Sequence, residues 1–215
     1  MRSVTIASMH GDEDTPSPPT RRQTILDAAA GVFMANGFVG ASMDEVAARA
    51  RVSKQTVYKH FGDKESLFFE LVTVTVEGAA SASAALDQTI GDDVAADLSV
   101  YARALAHGVM QPEVLDLRRL VIAEAVRFPG LGRRFYELGL ARTVERLAAI
   151  VADLDRRGVV RAPDVSTAAE HLNWLILSGP LNRAMLLGAD HGMAAADIDR
   201  HADDGVAAFL RAYRP

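Results

Sequence analysis

From Ser53 the chain reads Ser-Lys-Gln-Thr-Val-Tyr-Lys-His-Phe. Val57 and Phe61 are four apart, so on a helix they share an inward face. Lys54, Gln55, Thr56, Tyr58 and Lys59 are then left outside. Ammonium groups suit phosphates, and amide and hydroxyl groups suit base edges, on a helix short enough for a major groove. Ser53 is a candidate N-cap for this helix. Just upstream, Ser42 to Glu45 has the form of a capping box, and Val46, Ala47 and Ala50 follow with a short apolar face. Two short helices joined by a tight turn describe a helix-turn-helix, whose second helix enters DNA N-terminal residues first. On spacing alone, a solvated polar face on an all-α domain stands beside that reading.

Charge favours the first reading. From Ala47 to Lys64, Arg49, Arg51, Lys54, Lys59 and Lys64 stand against a single acid, Asp63, which gives this segment +4, while the whole chain carries −5 with pI about 5.7. A basic segment on an acidic protein is the footprint of a modular DNA reader. A second constellation is acidic: Asp190, His191, Asp197, Asp199, His201, Asp203 and Asp204. Asp197 and His201 sit i, i+4, a spacing that can hold a metal. Acids also gather at helix N-termini to suit the dipole, and that is the reading we adopt, with no metal expected. There is no cysteine in 215 residues, which removes thiolate chemistry, disulfides and cysteine zinc sites. No glycine-rich phosphate loop or nucleophile elbow occurs, so neither a cofactor nor a catalytic residue is expected.

The elements that position these residues follow from periodicity. Residues 1 to 20 carry Pro16, Pro18 and Pro19 with no period, and read as a disordered tail. A helix should run from Arg21 to about Asn36 and stop at Gly37, with Arg21 and Arg22 free to reach phosphate or stay solvated. Asp63 should cap a long helix from Lys64 to about Thr89, in which Gly78 and neighbouring alanines suggest close packing. Asp92 or Asp93 caps the next helix, which carries Tyr101, and Pro112 opens another, with the stripe Leu117, Leu120, Val121, Glu124, Ala125 and Phe128. After the corner at Phe128-Pro129-Gly130, a helix with Phe135 and Leu138 inside reaches about Arg157. Asp164 or Ser166 starts a helix carrying Asn173 and Trp174, which Gly179-Pro180 should kink or break. A last helix carries Ile198, Ala202, Val206 and Phe209. No segment alternates as a strand would, so the fold class is all-α. At 49% hydrophobic and 24% charged, with no signal-peptide core or membrane-length apolar run, a soluble cytoplasmic protein is expected.

From Ile25 to Leu71 the chain resembles the DNA-binding domain of the TetR family of bacterial transcriptional regulators. The most specific block is Val52-Ser-Lys-Gln-Thr-Val-Tyr-Lys-His-Phe-Gly-Asp-Lys-Glu65, with Ala28, Ala29, Phe33, Gly37, Phe38, Val46 and Ala47 before it. One departure is Arg51, in a turn where the family usually has glycine; a positive φ there costs a residue with a Cβ about 1 kcal/mol. The resemblance implies a helix-turn-helix domain over residues 21–66 and a helical dimerisation and effector-binding domain over 67–215. DNA contacts are expected from Ser42, Ser53, Lys54, Gln55, Thr56, Tyr58, Lys59, His60 and Lys64, the last toward phosphate. Candidate effector contacts are Tyr101, Glu124, Phe128, Phe135, Asn173 and Trp174, with a structural role the alternative for each. The helices around Ser166 to Gly188 and Ala195 to Tyr213 should form a homodimer interface, with Gly179, Ala184 and Ala208 allowing close approach. The expected function is a dimeric repressor released from an inverted-repeat DNA operator by a small-molecule effector. An architectural DNA-binding protein without an effector and a helical metal-dependent enzyme are the alternatives.

Overall fold

The computed structural model describes residues 20–81, 90–188 and 192–215. Every regular element among them is helical. Residues 1–19 of the expected tail, the end of the long helix near Thr89, and Asp190 and His191 lie outside the described residues, while Thr20, placed in that tail by the sequence, belongs to the first helix as its cap.

Thr20 caps α1 (Arg21–Gly40) by accepting from the Gln23 N–H. Gly37 takes φ 70°, ψ 174°, so the expected stop becomes a kink, and one more turn follows it. Ser42 caps α2 (Met43–Ala50) through the Glu45 N–H at 3.1 Å. The return half of the capping box is replaced: the Glu45 carboxylate accepts from Asn36 Nδ2, which ties α2 to α1. Arg51 adopts φ 56°, ψ 41°, so the strain expected at this turn is accepted rather than avoided. Its N–H and that of Val52 still satisfy carbonyls at the end of α2. Ser53 caps α3 (Lys54–Phe61) through the Thr56 N–H. Asp63 caps α4 (Lys64–Ser81) through the Ser66 N–H at 2.7 Å.

The larger part of the chain follows. Asp93 caps α5 (Val94–Val109), and Pro112 opens α6 (Pro112–Glu124) at a position where its missing N–H costs nothing. From Pro129 a helical stretch runs on to Arg156 as α7 (Pro129–Tyr136), one π-helical turn (Glu137–Ala141) and α8 (Arg142–Arg156). Asp164 caps α9 (Val165–Leu187), and α10 (Ala195–Ala212) closes the fold. Of the expected kink or break at Gly179-Pro180, the break does not occur: α9 continues through Pro180. Its ring is buried; before it Leu172 and Ile176 pack in the core shared with α8 and α10, and after it Leu181 and Ala184 pack on Leu115 of α6. Nor does Gly78 mark close packing: a Cβ there would meet open space, whereas Gly108 of α5 approaches the Ala79 carbonyl.

Two apolar cores result. The first joins α1 to α4 with Leu117 and Val121 of α6 and Leu131 and Leu138 beyond it. At its centre Phe38 meets Phe68 at 5.3 Å and Phe128 at 4.8 Å, both edge-on, while Phe33 meets Phe68 at 5.0 Å. Such pairs add about 0.5–1.5 kcal/mol each beyond the area they bury. The second core joins α5, α8, α9 and α10 around Leu98, Leu147, Leu172 and Phe209. Arg103 grips Asp203 with two hydrogen bonds, and His107 meets Asp199 at 2.6 Å, so the acids of α10 anchor α5. Asp197 bonds Arg200 on its own helix. The acidic constellation is thereby dispersed, and no three potential metal ligands converge among the described residues.

Candidate nucleic-acid interface and interior cavity

Val57 and Phe61 pin α3 against the first core, and this fixes what its other side presents. Gln55, Tyr58, Lys59 and His60 are exposed together, Tyr58 at 42% despite its ring. Lys54 is exposed as well, but its ammonium is paired with Asp44 of α2 at 2.7 Å and lies 5.8 Å from the Tyr58 ring centre. Hydrogen bonding to Asp44, then its charge, raise the Lys54 pKa above the usual value. The pair is solvated, so exchanging Asp44 for a phosphate costs little. Thr56 is half-buried, and its hydroxyl shares a 2.8 Å hydrogen bond with Ser53 Oγ. Ser42 and Ser53 thus already serve as helix caps, Thr56 is bonded to the second of them, and Gln55, Tyr58 and Lys59 carry the uncommitted face.

Lys64 departs furthest from the expected phosphate contact. Its ammonium donates to the carbonyls of Val39 at 3.1 Å and Ala41 at 3.0 Å, and sits 4.9 Å from the Phe38 ring centre. It therefore closes the C-terminal end of α1, where cations suit the dipole, and one of its three N–H groups is left for a phosphate. Arg22, offered as a phosphate contact, is drawn inward to Glu70 at 2.6 Å and over the Phe61 ring.

A cavity of about 350 Å³ opens between the cores. Of the six candidate effector residues, Tyr101, Phe135, Asn173 and Trp174 line it. Glu124 and Phe128 do not. Val114 and Arg118, one turn apart on α6, face the cavity, and Glu124 lies six residues on, about 9 Å further along the axis. There its carboxylate stands beside the Gly37 kink, and Phe128 packs on Phe38. Both belong to the junction with α1. Asn173 is fully buried, and neither amide atom has a hydrogen-bond partner among the described residues. The π-helical turn lends Leu138, Gly139 and Leu140 to the wall, in keeping with the frequent placement of such turns at functional sites. The wall also holds Arg118, Arg142 and Arg146, which periodicity alone did not single out. The signal was present: Val114 with Arg118, and Arg142 with Arg146, are i, i+4 pairs on inward-turning helices.

Comparison with known proteins gives a consistent answer. Residues 25–71 match the family described as bacterial regulatory proteins of the tetR family, and residues 96–215 match the C-terminal domain of AefR-like transcriptional repressors. A solved TetR-family regulator from Mesorhizobium loti is 40% identical, covers 91% of this chain and 97% of its own, and superposes with a TM-score of 0.78. The flavonoid-responsive regulator FrrA is 29% identical over 91% of this chain and 97% of its own, with a TM-score of 0.74. The HTH-type transcriptional repressor SCO4008 of Streptomyces coelicolor is 28% identical over 81% of this chain and 88% of its own. None of these is an enzyme by its description. No helix among the described residues is long and apolar enough to cross a membrane. With a capped helix-turn-helix presenting an open polar face, and both regions matched by regulator families, the chain belongs to the TetR family of DNA-binding transcriptional regulators.

Proposed function

We propose that this protein is a homodimeric repressor that leaves an inverted-repeat operator when a small organic molecule fills the cavity. One observation carries the coupling. α4 starts at Lys64, which holds the end of α1, and Val76, Glu77 and Ala79 of the same helix border the cavity. A ligand that moves this wall also moves the base of the helix-turn-helix. α4 therefore belongs to both units, and a division at residues 66/67 separates them by role rather than by packing. Gln55, Tyr58 and Lys59 read bases and nearby phosphates, supported by Lys54 and His60. Ser42, Ser53 and Thr56 act at the helix ends, where N–H groups favour phosphate. Lys64 adds one phosphate contact beside its structural bonds.

Dimerisation uses the outer faces of α9 and α10. His171, Leu175, Asn182 and Leu186 recur at four, seven and four along the exposed side of α9. Ala184 is turned inward against Leu115 and Leu181, so it serves the fold rather than the interface. Gly179 gives its close approach to His201 of the same chain. Two linked readers are needed because half-sites lie about 34–36 Å apart. The protein works in the cytoplasm, with the DNA.

The test is fluorescence anisotropy with DNA from upstream of its own gene, first narrowed by footprinting. Flavonoids, to which one relative responds by name, are the first compounds to add. Binding as two protomers per operator, lost on addition of a cavity ligand, is expected. Binding as a monomer, or operator affinity indifferent to compounds that occupy the cavity, would overturn the proposal.

A further inference from the structure

We propose that the cavity takes an organic anion: an aromatic or apolar body with one acidic group seated on Arg118. This rests on the cavity being the effector site. Four charged side chains border it, Glu77, Arg118, Arg142 and Arg146. Arg142 is paired with Glu77 at 3.2 Å. Arg118 and Arg146 have no carboxylate partner among the described residues.

Arg118 is the decisive one. It is half-buried, and its guanidinium stands 5.9 Å from the Phe135 ring centre, so an aromatic wall occupies one side of it. No acceptor for its five N–H donors is recorded among the described residues. Burial pulls its pKa below the usual arginine value, yet the group remains charged. A partly desolvated cation without a counter-ion is unfavourable, and an entering carboxylate, sulfonate or phenolate relieves it through charge-assisted hydrogen bonds. A cationic ligand would meet like charge, and a neutral one would leave Arg118 unpaired.

Asn173 supplies the second requirement. It is fully buried in the same wall with both amide atoms unpartnered among the described residues, so it offers the ligand a donor pair and an acceptor. A hydroxyl or carbonyl on the ligand body answers it. The volume, about 350 Å³, suits a body of two fused or linked rings.

Trp174 is the chain's single tryptophan, and it borders the cavity. It also borders a second pocket beside Ile122 and Met185, so energy transfer that survives Ile122→Glu, which puts a repelling charge in that second pocket alone, reports occupancy of the cavity. The probes are anilinonaphthalene sulfonate and its uncharged counterpart phenylnaphthylamine, which differ by the sulfonate. The wild-type protein should bind the sulfonate at least about tenfold more tightly. Arg118→Gln should remove that preference and leave the neutral probe's affinity in place, while Arg118→Lys should retain most of it. Retained binding of phenylnaphthylamine shows that Arg118→Gln still folds around the cavity. Equal affinity for the two probes, no binding of the sulfonate near Trp174, or an unchanged preference in Arg118→Gln would each overturn the proposal. Operator binding by the ligand-free protein is measured on the same preparation. Its failure refutes the regulator reading, whereas a charge-blind cavity in a protein that binds its operator refutes only the anion.

Discussion

Arg51→Gly should stabilise this protein. Arg51 is the one residue other than glycine with positive φ among the described residues, at φ 56°, ψ 41°. For a residue with a Cβ this conformation costs about 1–2 kcal/mol. Glycine avoids that cost, but it has more chain entropy to lose, about 0.5–1 kcal/mol. The net gain is therefore about 0.5–1 kcal/mol. Little else changes: the side chain is exposed, makes no recorded ion pair, and the N–H bonds that close α2 are backbone. Arg51→Ala is the control, since it removes the same guanidinium and keeps the Cβ. For a chain of this size 1 kcal/mol moves Tm by about 2–4 °C. Thermal unfolding at one fixed protein concentration gives the comparison, because a dimer's Tm depends on concentration. The glycine variant should melt above both the wild type and the alanine variant. The two variants should share one operator salt slope, having lost the same charge. Equal Tm values for glycine and alanine would falsify the strain argument.

Other outcomes follow from the same geometry. Gln55→Ala should cost about 1–3 kcal/mol of operator affinity and relax preference at one base position, as read by single-base operator changes. Lys64→Ala should weaken all operator sequences alike and also lower stability in urea by about 1–3 kcal/mol, because the Val39 and Ala41 carbonyls lose their donor. The Ser66 N–H holds the Asp63 pKa below the ordinary carboxylate value. That stabilisation is complete above the ordinary value and is lost as pH falls through the lowered one, so the stability gap between wild type and Asp63→Asn should shrink on acidification below about pH 4. Gly205→Ala would place a Cβ 2.6 Å from the Leu175 carbonyl oxygen and should lower Tm, whereas Gly78→Ala, facing open space, should raise stability by about 1 kcal/mol. A rise in both would contradict the close approach of α9 and α10.

The features that could be read from the sequence are those set within one or two turns. Ser42, Ser53 and Asp63 cap the helices they precede, and Val57 with Phe61 fixed the outer face of α3. At Arg51 the residue type left two outcomes, an adjusted turn or accepted strain, and the positive φ is the second. What escaped depends on distant partners. Lys64 bonds carbonyls 25 and 23 positions away, and no local pattern marks an ammonium as a helix-end donor. Pro180 is a local breaker held helical by the neighbours of α9. The stripe from Leu117 to Phe128 was periodic, but its far end meets α1 while Val114 and Arg118, at the near end of α6, meet the cavity. Periodicity identifies a face, and it does not say that one face serves two neighbours.

That divided face bears on the proposed switch. Three elements run from the cavity into the first core. α4 contributes Val76 to one and Phe68 to the other, α6 contributes Arg118 and Leu117, and the stretch from Pro129 contributes Phe135 and Leu131. In that core Phe38, just beyond the Gly37 kink, contacts Phe68 of α4, Phe128 between α6 and α7, and the Lys64 ammonium. A ligand seated on Arg118 would thus reach the first core through Phe135, which packs against it, as well as through α4. Close-packed cores shift between discrete arrangements rather than deform continuously. The ligand can favour the arrangement that releases DNA only by its difference in affinity for the two states, typically 1–3 kcal/mol. The same difference must appear in reverse: operator DNA, by holding the other arrangement, weakens the ligand by the factor with which the ligand weakens DNA.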